Sequence, residues 1–277
     1  MISFTLNGKA VEYQDNPDRS LLDFLRKDQH LTATKDGCSG QGICGACTVE
    51  INGEAKLACL TKMKNLEGAE IFTMEGFPEY VVETIAKSFV NKGAVQCGFC
   101  IPGFIGRTKI LLQKNPTPSL HEIRHAIKPH ICRCTGYKKI EEAISDSGEA
   151  LLTNRKSEIA YTSAKVGVTL PKYQAYETAL GKRKFVDDMF IEGMLYVALK
   201  FSEHPKAIVK NIDYSQALKL QGIHCVFTAD DIPGDRKVGL ILKDWPVMTG
   251  KGETTHYIGD VIAGVVADTE EIARKAT

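Results

Sequence analysis

The amino-acid sequence predicts a multidomain α+β protein: a small strand-rich unit, a helical bundle, a linker, and a partial α/β unit. Three observations carry that prediction. Residues 1–75 alternate apolar and polar side chains around Asn-Gly turns, whereas residues 76–152 repeat apolar positions at helical spacing. After a polar stretch over 153–180, strand patterns return in 181–277 and culminate in the continuous apolar run Val261–Ala267.

In the first unit, Ile2, Phe4 and Leu6 form one face of a strand, Asn7-Gly8 a tight turn, and Val11-Glu12-Tyr13 a second strand. Ser20 is placed to cap a helix over Leu21 to Lys27, with Leu21, Leu22, Phe24 and Leu25 facing the core. A Gly-rich cysteine loop follows. Thr48 to Ile51 and Ala55 to Leu57 then flank Asn52-Gly53 as a hairpin, and a last strand runs near Glu70 to Thr73. Strands, one crossing helix and a cysteine loop together predict a β-grasp, ferredoxin-like sheet.

Four helices are predicted next, over Val81–Asn91, Ile105–Gln113, Leu120–Ile127 and Lys139–Leu151, joined by short loops into a bundle. Asn115-Pro116-Thr117-Pro118 breaks the second from the third. Beyond the 153–180 linker, strands are predicted over Met194–Phe201, Ala207–Ile212, Cys225–Thr228 and Val261–Ala267. A helix is placed near Ser215–Leu220 and another over Thr269–Ala276. The α/β unit is expected to be incomplete at Thr277.

A chain of 277 residues accommodates two or three cores. Hydrophobic content of 43% and charged content of 25% are those of a globular protein. A net charge of +1 argues against a nucleic-acid surface. No apolar run reaches the roughly 20 residues of a membrane span. The first eight residues lack the basic start and apolar stretch of a signal peptide, so no membrane association and a cytoplasmic address are expected. In that reducing compartment clustered cysteines point to metal rather than to disulfides.

Eight of the nine cysteines form two quartets. Cys38, Cys44, Cys47 and Cys59 are spaced Cys-x5-Cys-x2-Cys-x11-Cys and interleaved with Gly37, Gly40, Gly42 and Gly45. Such glycines let the backbone fold closely around a cluster with N–H groups aimed at sulfur. The spacing is one residue longer than the plant-type [2Fe–2S] loop, and glycines are available to absorb it as a bulge. Structural zinc is the alternative. The second quartet is Cys97, Cys100, Cys132 and Cys134, with a thioredoxin-like Cys-x2-Cys as its alternative; the helical surroundings lack the βαβ context which that alternative needs. Cys225 has no partner and reads as a small buried hydrophobe.

Cys44-Gly45-Ala46-Cys47-Thr48-Val49, Gln96-Cys97-Gly98-Phe99-Cys100-Ile101-Pro102-Gly103 and Cys132-Arg133-Cys134-Thr135-Gly136-Tyr137 resemble the two-cluster electron-transfer region of the molybdenum hydroxylases, the xanthine dehydrogenase and aldehyde oxidoreductase family. The resemblance implies two [2Fe–2S] clusters on the eight cysteines. It also implies a molybdopterin, with or without a cytosine nucleotide, touched by Gln96 and Cys134. Gly181 to Asp188, Phe201 to Pro205, Phe227 to Gly234 and Tyr257 to Asp260 are similar to the family's a/b hammerhead segment. Direct joining of iron–sulfur region and hammerhead looks like the fused organisation of bacterial aldehyde oxidoreductases and selenium-dependent xanthine dehydrogenase-like enzymes, with the N-terminal texture favouring the latter. FAD is then expected only on a partner subunit. The partners implied are the molybdenum-binding catalytic part, as a subunit or as further chain, and the flavin subunit or another acceptor. No residue of this chain receives a catalytic role. The rival reading is a free-standing two-cluster electron carrier.

Four other signals carry less. His121-Glu122-Ile123-Arg124-His125 satisfies the zinc-protease pattern but lacks a third ligand. His204 reads as a strand-end residue, and Lys138-Lys139 as a solvated helix start. Arg133 fits either a salt bridge or a charge beside the cluster.

Overall fold

The computed structural model describes residues 1–159, 166–167 and 170–277, which divide into two compact units, Met1–Met189 and Phe190–Thr277. Part of the predicted linker, 160–165 and 168–169, lies outside the described residues.

Strands β1 (Ile2–Leu6) and β2 (Lys9–Tyr13) form the antiparallel hairpin expected from Asn7-Gly8, both of which adopt positive φ. The Ser20 hydroxyl accepts the Asp23 N–H at 3.1 Å and so caps α1 (Leu21–Asp23), which continues as a π-helical turn over Phe24–Asp28. Strands β3 (Thr48–Ile51), β4 (Glu54–Leu57) and β5 (Glu70–Phe72) complete a sheet ordered β2-β1-β5-β3-β4, in which β1 and β5 are parallel. Leu21, Leu25, Val49, Met63 and Ile71 fill the core between sheet and helix. This is the predicted β-grasp.

The bundle comprises α2 (Glu79–Asn91), α3 (Ile101–Lys114), α4 (Leu120–Ile127) and α5 (Lys138–Leu152), each within a few residues of its predicted span. Ile85, Phe89, Phe104, Ile105, Ile140 and Ile144 are fully buried between the helices. A Cβ on Gly103 would lie 2.8 Å from the Gly45 carbonyl oxygen, so the missing side chain lets α3 press against the cysteine loop of the first domain.

Helix α4 shows what the His-x3-His pattern does. Glu122 accepts the Ser119 N–H at 2.7 Å, while the Ser119 hydroxyl accepts the Glu122 N–H at 3.3 Å. The carboxylate is therefore half of a capping box, and His121 and His125 are exposed. Ser119→Ala is expected to lower stability by about 1 kcal/mol, read as a lower denaturant midpoint at constant slope.

Within the linker, the short helix α6 (Ala175–Ala179) was not anticipated, and residues up to Met189 pack with the first unit. The second unit is built on an antiparallel sheet of β6 (Tyr196–Phe201), β7 (Ile223–Thr228) and the central β10 (Val261–Ala267), in order β6-β10-β7. A two-stranded ribbon, β8 (Lys237–Val238) with β9 (Trp245–Pro246), and helix α7 (Glu270–Lys275), capped by Thr269, accompany it. Three expectations fail here. Ala207–Ile212 forms only an isolated bridge, Ile208 to Thr254, and Ser215–Leu220 only a 3₁₀ turn over Ala217–Lys219. Cys225 is exposed rather than buried, on β7 at the edge of the sheet.

Candidate metal centres

Both quartets assemble, and each does so in pairs. In the first, Cys38 faces Cys44 and Cys47 faces Cys59. The loop that carries them turns through positive φ at Ser39, Gly40, Gly42 and Gly45, which absorbs the extra residue between Cys38 and Cys44. Asp36 braces the turn by accepting the Cys38 and Gly40 N–H groups, each at 3.2 Å. Burial pushes the Cys38 thiol up, but N–H groups of Ile43, Cys44 and Gln41 aimed at its sulfur outweigh burial and hold it below the ordinary thiol value. Burial raises Cys44, partly opposed by the Ala46 and Gly37 N–H groups. Cys47, at the foot of β3, is pushed up to about 12, chiefly by burial.

In the second quartet, Cys97 faces Cys134 and Cys100 faces Cys132. Cys100 is the N-cap residue of α3, and Pro102 suits the first turn of that helix. Burial raises Cys97 and Cys100. For Cys132 burial also pushes upward, but the Thr135 hydroxyl, 3.1 Å away, and the Thr135 and Cys134 N–H groups outweigh it and lower the thiol. The Tyr137 hydroxyl accepts the Cys132 N–H at 3.0 Å and donates to the His130 carbonyl at 3.1 Å, fixing the ligand loop. Cys100 and Cys132 are buried, whereas Cys97, Cys134 and Gln96 are exposed along one open edge. Arg133, Lys138 and Lys139 are exposed as well.

The donor set fits two-iron clusters. A [2Fe–2S] centre takes two thiolates on each iron, and its charge is stabilised by hydrogen bonds to sulfur. The pairs and the inward N–H groups supply both.

The two loops also touch each other. The Ile131 N–H donates to the Cys44 carbonyl at 2.9 Å, joining the residue before Cys132 to a first-quartet cysteine. At this contact sits His130, which sequence reasoning missed because no periodicity or spacing marks it. Its Nε2 lies 3.1 Å from Thr48 Oγ1 and 3.3 Å from the Gly103 carbonyl, and its ring is 4.8 Å from that of Phe104. Burial, helped by the nearby Arg107 charge, lowers its pKa to about 4, so the ring is neutral at physiological pH.

Comparison with known proteins follows the same division. A 2Fe-2S iron-sulfur cluster binding domain matches residues 4–64 and a [2Fe-2S] binding domain matches 73–145. The a/b hammerhead domain of aldehyde oxidase and xanthine dehydrogenase matches 180–277. The nicotinate dehydrogenase small FeS subunit of Eubacterium barkeri is 44% identical over 144 residues, 52% of this chain and 91% of that protein. The chain belongs to the molybdenum hydroxylase family. An aldehyde oxidoreductase of Megalodesulfovibrio gigas is 36% identical over 295 residues, 98% of this chain and 32% of the relative. The solved aldehyde oxidoreductase from Desulfovibrio gigas superposes with a TM-score of 0.90 at 33% identity, covering 100% of this chain and 33% of the other. The chain therefore spans about a third of the length of the aldehyde oxidoreductases it matches, and within the molybdenum hydroxylases it corresponds to their iron–sulfur part with the hammerhead segment attached.

Proposed function

We propose that this chain carries electrons, through two [2Fe–2S] clusters, away from a molybdopterin site at which a purine, another N-heterocycle or an aldehyde is hydroxylated. Cys38, Cys44, Cys47 and Cys59 hold one cluster, and Cys97, Cys100, Cys132 and Cys134 the other. When bound, each cluster accepts and releases one electron at a time. The chain's own groups set the conditions: N–H bonds to the sulfurs of Cys38 and Cys132 favour the thiolate charge, and burial of Cys47 and Cys100 excludes water. The observation that carries the reading is the 2.9 Å bond from Ile131 to the Cys44 carbonyl, which couples the two loops directly.

The open edge formed by Gln96, Cys97 and Cys134 suits contact with the pterin, with the Gln96 amide hydrogen-bonding it. The domains on this reading are 1–75, 76–152 and 181–277, joined by 153–180. Exposed Leu240 and Ile241 in the second unit fit coverage by the molybdenum-binding part, as a partner subunit or as further chain. A flavin subunit or another acceptor takes the electrons. The cytosine-nucleotide form of the pterin and kinship with selenium-dependent xanthine dehydrogenase-like enzymes belong to the same proposal. So does a cytoplasmic location; no helix among the described residues is long and apolar enough to cross a membrane.

Iron and acid-labile sulfide analysis with electron paramagnetic resonance (EPR) tests this reading. About four iron and four sulfide per chain and two distinct signals after reduction are expected. Zinc without sulfide, or a single centre, overturns it.

A further inference from the structure

The segment from α6 to Asp188 joins the compact unit that holds both quartets, although it was expected to be a linker. Its charged end seats on the first domain. Asp188, with a side chain 1% exposed, accepts an Arg26 N–H at 3.0 Å, the Phe185 N–H at 2.9 Å and a short hydrogen bond from the fully buried Lys35. Lys35 stands three residues before Cys38, and its own N–H donates to the Ala46 carbonyl at 3.3 Å. Arg26 reaches back to the Thr34 carbonyl at 2.9 Å, so both cations tie Asp188 to the segment entering the Cys38 loop.

The other contacts of the segment fall on the second domain. Phe185 packs edge-on against Phe99, between Cys97 and Cys100, with ring centroids 5.2 Å apart. Thr178 occupies the place where Gly98 would carry a side chain, its Cγ2 2.0 Å from that Cβ position. Gly181 threads between Ala33 of the first domain and Pro102 of the second. A buried carboxylate with two cationic partners is costly to separate, because each partner left behind is an uncompensated charge.

We propose that residues 175–188 form a clasp that fixes the two cysteine loops relative to each other, with Asp188 as its positioning residue. The clasp holds the Cys38 loop through Lys35 and Arg26, and the Cys97–Cys100 turn through Thr178 and Phe185. Spacing between the two centres is then set by this segment as well as by the Ile131–Cys44 bond.

Asp188→Asn and Phe185→Ala in the full chain test the clasp by amide hydrogen exchange and by EPR. Exchange over Ala33–Cys38 and Gly98–Phe99 is expected to accelerate roughly tenfold in Asp188→Asn. Phe185→Ala, which strands no charge, is expected to accelerate Gly98–Phe99 and so carries the test if Asp188→Asn does not fold. Glu192→Gln, a change at an exposed residue outside the clasp, is expected to leave exchange as in the wild type. Magnetic coupling between the two reduced centres is expected to change in Asp188→Asn. Wild-type exchange in both loops for both variants overturns the clasp. The coupling arm rests on the two-cluster reading and the exchange arm does not: if the wild type assembles no clusters, that reading falls and exchange still decides the clasp.

Discussion

Cys47→Ser is expected to abolish the first-domain centre and leave the second intact. Cys47 is 2% exposed at the foot of β3 and faces Cys59, so on the proposed reading the two would hold one iron. Burial pushes its thiol up to about 12, so a cation bound there would favour the thiolate. A serine hydroxyl ionises at far higher pH than a thiol, so it supplies no comparable anionic ligand at the same position. One iron would then be held by a single thiolate. Iron and sulfide are expected to fall by about half, and one of two EPR signals to vanish. Cys225→Ser, an exposed change in the second unit, is expected to alter neither. Survival of both signals in Cys47→Ser would remove Cys47 from the ligand set. Loss of both would show that the domains do not assemble independently.

Local chemistry was legible in the sequence where it is dictated by neighbours in the chain. The Asn7-Gly8 and Asn52-Gly53 turns, the Ser20 cap, the span of α4 and the apolar run of β10 all follow from positions a few residues apart. The cysteine groups were legible because the short spacings within each of them are local. Their pairing was not: Cys100 meets Cys132, and Cys97 meets Cys134, only through the return of the chain after α4. The clasp was hidden for the same reason. Asp188 is polar, and polar residues in a polar stretch read as linker, until Lys35 arrives from the other end of the unit to neutralise it. Asp188 is held below the ordinary carboxylate range even though burial pushes it up, because hydrogen bonds from Lys35 and the Phe185 N–H outweigh desolvation. Gly45 illustrates both scales. Its positive φ was foreseeable from the Gly-rich loop, whereas its close approach to the Pro129 carbonyl, 2.6 Å from a built Cβ, belongs to the packing of two domains. The strand expected at Ala207–Ile212 failed in the opposite direction: its apolar content is real, but its pairing with Gly252–Thr255 spans only Ala207–Val209, around the single bridge from Ile208 to Thr254.

Phe104→Ala is expected to lower stability by about 3–5 kcal/mol, the cost of emptying a large aromatic site in a close-packed core. Phe104 is fully buried on α3, with its ring against His130 and edge-on to Tyr137 at 6.4 Å. Those two residues hold the second ligand loop. Tyr137 sits at φ +68, uncommon for a residue with a bulky side chain, and its hydroxyl bridges the Cys132 N–H and the His130 carbonyl. Removing the Phe104 ring takes away the packing that keeps this arrangement in place, so the stability loss is expected to come with faster release of iron from the second centre. Tyr137→Phe separates the two effects. It retains the ring and deletes only the hydroxyl bridge, for an expected loss of about 1–3 kcal/mol. If denaturant midpoints at unchanged slope place Phe104→Ala below Tyr137→Phe, core packing dominates the loop's stability. The reverse order would make the hydroxyl bridge the principal support, with Phe104 reduced to filling space.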